Sequence, residues 1–115
     1  MSKNVLRILI AITGLITALI HLLLGVRDLG GEFGPAFVLN GLTYLALVAA
    51  VVFSPSFLQG RERLVHYILI GFAALTIILY FIFNVENFIS PLGLFTKLDE
   101  LLLILFTWLH LRAPA

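Results

Sequence analysis

Charge is absent from three long stretches of this chain: Ile8 to Val26, Phe33 to Gly60, and Leu64 to Val85 carry no Asp, Glu, Lys or Arg. A helix needs about 20 mostly apolar residues to cross a bilayer core. Each stretch is long enough for one crossing. A soluble chain of 115 residues has too little interior to hide that much apolar surface. The composition agrees: 62% of residues are hydrophobic and 11% charged, against ~25% charged in ordinary soluble domains. The expected fold is therefore all-α, an integral-membrane four-helix bundle that forms one domain over residues 1–115.

The charge clusters and turn residues set the span limits. Span 1 is expected at about 5–26. Gly30, Gly31 and Gly34 mark a loop, and span 2 follows at about 36–53. Ser54-Pro55-Ser56 ends it, and span 3 occupies about 64–85. Span 4 is expected at about 92–112, with Pro91 placed for a first helical turn. Lys3 and Arg7 ahead of an apolar run resemble a signal peptide. The run is longer than a usual signal core and lacks a small-x-small cleavage site before Arg27, so it reads as a retained first span.

Basic residues favour the cytoplasmic side of a membrane. Lys3, Arg7, Arg61, Arg63 and Arg112 fall at the N-terminus, the second loop and the C-terminus. Only Arg27 and Lys97 fall on the opposite side. Four spans with both termini cytoplasmic satisfy this pattern, which predicts a multi-pass protein of a cell membrane, a prokaryotic inner or plasma membrane if the resemblance given below holds. Membrane lipids are then its first partners, with other membrane subunits or further copies of itself as candidates. No basic patch suits nucleic acid. With no cysteine in the chain, disulfide and thiolate chemistry are excluded.

Span 4 is anomalous. The uncharged stretch between Glu100 and Arg112 covers only about half a bilayer. A full crossing must take in Lys97, Asp99 and Glu100. Two placements satisfy this: a headgroup interface, or burial in the bundle.

The other spans carry polar stripes at helical spacing. Thr13, Thr17 and His21 share one face of span 1, with Gly14 and Ala18 beside them as a small-xxx-small pair. Asn40 and Tyr44 lie one turn apart in span 2, and Thr76, Tyr80 and Asn84 align in span 3. The Thr, Gly and Ala positions read first as helix-packing residues. The larger polar groups fall at one depth, in the outer half. His21 lies about 9 Å below Arg27 at 1.5 Å per residue. Polar groups inside spans are costly and mark functional positions by default. The candidate ligand-binding set is His21, Asn40, Tyr44, Tyr80, Asn84, Lys97 and Glu100. The alternative is a hydrogen-bonded belt that holds helix register.

His66 and His110 fall near the cytoplasmic ends of spans 3 and 4. Two imidazoles on different helices are a known arrangement for haem b, and an interfacial pair without metal is the simpler alternative. No zinc motif, phosphate loop or nucleophile elbow is present. No catalytic residue, metal or cofactor other than that haem is indicated.

His21-Leu22-Leu23-Leu24-Gly25-Val26 and Ser90-Pro91-Leu92-Gly93-Leu94-Phe95-Thr96-Lys97 resemble segments of small four-span membrane proteins of archaea and bacteria that carry no assigned function. The resemblance implies a four-span fold and no activity. Size and span count are also similar to the small multidrug resistance transporters. Those act through a glutamate in the first span, and Ile8 to Val26 holds none.

Three functions remain: a structural or accessory subunit of a membrane complex, a small-molecule or lipid binder or transporter using the outer polar pocket, and a haem b electron carrier. The first needs least from the sequence.

Overall fold

The computed structural model describes residues 1–83 and 91–113. Four long helices hold most of them: α1 (Lys3–Arg27), α2 (Gly34–Phe53), α3 (Glu62–Phe83) and α4 (Pro91–Arg112), with one 3₁₀ turn at Ser56–Leu58. There is no strand among the described residues.

Local chemistry places the helix ends. Ser2 caps α1, its hydroxyl accepting from the Val5 N–H at 3.2 Å. Pro35 opens α2, where its missing N–H costs nothing. At the other end of α2, Ser54 turns left-handed with φ of 43° and Pro55 follows, which stops the helix. Gly60, with φ of +86°, makes the turn into α3.

The helices pack in a ring, α1 on α2, α2 on α3, α3 on α4 and α4 on α1. The molecule measures 44 × 26 × 19 Å. Its long axis matches a bilayer with its headgroups, about 40–45 Å. Three helices, α1, α2 and α3, are long and apolar enough to cross a membrane. α4 is equally long, about 33 Å at 1.5 Å per residue, but is set apart by its charges.

The apolar surface faces outward. Ile8, Ile12, Leu15, Leu19 and Leu23 form an exposed stripe down α1, and Ile78, Ile82, Leu98, Leu101 and Leu105 are exposed on α3 and α4. The interior is mixed. Ile10, Tyr44, Val48, Leu69 and Leu103 pack together in its middle. Alongside them, Thr13, Thr17, His21, Lys97, Asp99, Glu100, Thr107 and His110 are all buried. Apolar outside with polar groups inside is the arrangement that lipid, not water, stabilises.

Close approach of α1 and α2 depends on glycine. A Cβ on Gly25 would lie 2.6 Å from the Val38 backbone nitrogen and 2.8 Å from the Gly34 carbonyl oxygen. Small residues at such crossings let backbones touch where no water drives helices together.

Candidate functional site

The charges of α4 are inside the bundle. Lys97 is 6% exposed, Asp99 6% and Glu100 0%. Of the two placements open to the sequence, burial in the bundle is the one the structure shows.

Glu100 is the centre of the polar network. Its Oε2 accepts from the Tyr44 hydroxyl at 2.7 Å and from the Thr17 hydroxyl at 3.1 Å. Its Oε1 pairs with the Lys97 ammonium one turn earlier on the same helix. One carboxylate thus ties α1, α2 and α4 together. Such a group is held in an apolar medium only when its charge is paired and its lone pairs are satisfied. Lys97 also lies over the Tyr80 ring, 5.0 Å from the centroid, which joins α3 to the network.

His21 is fixed by its own helix. Its Nδ1 lies 2.8 Å from the Thr17 carbonyl oxygen, which only accepts, so Nδ1 carries the proton and donates. The Tyr44 and Phe37 rings flank the imidazole, with centroids at 5.8 and 6.0 Å. Asn40 reaches across to α3 and donates from Nδ2 to the Thr76 hydroxyl at 3.2 Å. Asn40 Oδ1 and Asp99 Oδ2 are buried without a hydrogen-bond partner.

Above this network, toward the α1–α2 loop, is a cavity of about 530 Å³ with walls from all four helices. Its polar lining includes His21, Asn40, Thr76, Tyr80, Thr96 and Lys97. The remaining lining is apolar and rich in aromatic rings, with Phe33, Phe37 and Phe83 prominent. His21, Asn40 and Lys97 each lie about 9 Å inside the ends of their helices at 1.5 Å per residue. The cavity therefore has a polar floor and aromatic upper walls.

Of the seven residues expected at the site, His21, Asn40, Tyr80 and Lys97 line this cavity. Tyr44 and Glu100 do not line it. They sit in the bonded layer that holds Lys97 and His21 in place. Asn84 lies outside the described residues. Thr17 and Thr76 take larger parts than helix packing, as the donor to Glu100 and the acceptor for Asn40. Their i, i+4 relation to His21 and Tyr80 was the sequence signal for this. Thr96 was missed, although it stands i, i+4 to Glu100.

His66 and His110 meet at the opposite end of the bundle. His66 Nδ1 donates to the Glu62 carbonyl at 2.6 Å, and its Nε2 lies 2.7 Å from His110 Nδ1. The rings stack with 7° between their planes and centroids 5.0 Å apart. Two axial ligands of one haem need the iron between their nitrogens and the porphyrin between their rings. Here the nitrogens bond to each other, so this geometry does not fit the haem expectation. Among the described residues, no group of three or more His, Asp or Glu converges on a metal position.

Comparison with models of known families, with curated proteins and with solved structures found no match.

Proposed function

We propose that this chain is a multi-pass membrane protein that binds a small, largely apolar molecule in the cavity between its four helices. One observation carries the reading. A cavity of about 530 Å³ is within the ~300–1,000 Å³ usual for small-molecule sites, and its lining has their character, apolar walls with a few placed polar groups. The polar belt alternative explains the bonds of Glu100, but a belt for helix register needs no such volume beside it.

Binding is favoured over transport. Transport needs a site reachable from both sides. Below the floor, Ile10, Leu69 and Leu103 are each 0% exposed and form a packed apolar layer across α1, α3 and α4. The distribution of basic residues supports a fourth crossing by α4, with both termini cytoplasmic. The molecule then enters from the outer side.

Ala36 offers the test, because it lines the cavity from the first turns of α2. Ala36→Trp fills space from a residue that makes none of the Glu100 contacts. The protein is extracted gently from its membrane, and the small molecules it retains are identified. The wild type is expected to carry a defined species that Ala36→Trp loses at unchanged helix content. Equal retention by the two proteins contradicts the reading. A stoichiometric protein partner in place of a small molecule returns the accessory-subunit reading to first place.

A further inference from the structure

The cavity floor carries one primary amine. The chain has no cysteine, and its only lysines are Lys3 and Lys97. Lys3 opens α1 at the other end of the bundle, and Lys97 lines the cavity. The threonines of the lining are engaged, Thr96 as donor to the Leu92 carbonyl and Thr76 as acceptor for Asn40. Lysine amines set in apolar pockets are a recurring class of nucleophile, forming imines with carbonyl compounds. A lysine that only held helices together would need no cavity at its side.

The group already paired with Lys97 suits this chemistry. Glu100 is 0% exposed, and its Oε2 takes the Tyr44 and Thr17 hydroxyls from α2 and α1. Those bonds fix the carboxylate and leave Oε1 to Lys97, with no other donor to it among the described residues. Imine formation needs an acceptor for one ammonium proton and a counterion for the charged product. Oε1 supplies both. Apolar surroundings penalise separated charge, so passing the proton across the pair gives an accessible neutral state, amine beside carboxylic acid. The amine nitrogen then bonds to the carbonyl carbon. The carbonyl oxygen takes one proton from the nitrogen and one from Glu100 and leaves as water. A protonated imine remains beside the Glu100 carboxylate. The charge of the pair is the same before and after, so the Tyr44 and Thr17 bonds serve both states.

We propose, resting on the binding reading above, that Lys97 forms a protonated imine with an apolar aldehyde held in the cavity, with Glu100 as proton acceptor and counterion. An aldehyde is the least hindered carbonyl for an amine with Glu100 and the Tyr80 ring on either hand. The lining with Phe33, Phe37 and Phe83 suits its apolar body.

Reductive trapping tests it. The full chain in nanodiscs of phosphatidylcholine, a lipid without primary amines, is incubated with 4-propylbenzaldehyde and sodium cyanoborohydride. The reductant converts an imine to a stable secondary amine, which peptide mass spectrometry locates. Lys97 is expected to be modified at least about tenfold faster than Lys3, because the bound carbonyl is held beside one amine and meets the other by collision. Ala36→Trp should abolish that excess. Binding of 4-propylbenzyl alcohol, which forms no imine, is measured in the same nanodiscs. Saturable binding of the alcohol without excess reaction at Lys97 overturns the imine and leaves the cavity reading intact. An excess that Ala36→Trp leaves unchanged also contradicts the proposal, since the amine is then reached by another route. Neither binding nor excess reaction overturns both.

Discussion

Glu100→Ala is expected to destabilise the folded bundle by about 3–5 kcal/mol, the range for removing one partner of a buried ion pair. The change leaves the Lys97 ammonium without its carboxylate and strips the acceptor from both Tyr44 and Thr17. The cost arises from the charge left behind, more than from the bond lost. The double variant Lys97→Met/Glu100→Leu should therefore recover most of the stability, because apolar replacement of a whole buried pair is often neutral or better. A residual loss of about 1 kcal/mol is expected from the unpaired Tyr44 hydroxyl. Unfolding of the purified protein in bicelles measures all three. A double variant as unstable as the single one would show that Glu100 acts through its own packing and not through charge.

Gly25→Leu is the second large effect, and it acts at the α1–α2 crossing. Backbone atoms of Val38 and Gly34 occupy the space a side chain would need. Backbone cannot rotate aside as a side chain can, so the two helices must separate. Overpacking of this kind costs about 1–3 kcal/mol, or more where backbone must shift. Gly71 in α3 is the matched control, since a Cβ there meets nothing within 4 Å. Gly71→Ala is expected to be neutral or to stabilise by up to about 1 kcal/mol through helix propensity. Unfolding in the same bicelles reads the difference in sign between the two positions. Equal tolerance at Gly25 and Gly71 would mean that α1 and α2 do not approach as closely as described.

Helix number and order were legible because charge, Gly and Pro segment the chain at intervals that match a bilayer. The polar stripes were legible for the same reason, since i, i+4 spacing puts Thr17 with His21 and Asn40 with Tyr44. What spacing could not decide was the depth of Lys97, Asp99 and Glu100. A charge cluster near a helix start looks alike in sequence whether it faces headgroups or a bundle interior. The deciding partners, Tyr44 and Thr17, come from helices far away in the chain. The cavity was illegible on similar grounds. It is a shortfall of packing among four helices, and no single helix encodes it. For the histidine pair, equal depth was legible and brings two rings together, but ring orientation, which spacing does not encode, determines whether they bond to each other or to an iron.

The central claim is that a space open to small molecules exists among the four helices. Two threonines of α4 test it as a matched pair. Thr96 donates to the Leu92 carbonyl at 2.8 Å and lines the cavity. Thr107 donates to the Leu103 carbonyl at 2.7 Å, is 0% exposed and lies away from the cavity. The chain has no cysteine of its own, so Thr96→Cys and Thr107→Cys each give a single thiol in the same local bonding. The measurement is the rate of modification of each thiol by a small water-soluble thiol reagent in intact membranes. Modification of Cys at position 96 with none at 107 is the predicted result. Equal rates at the two positions, or no reaction at 96, would contradict it.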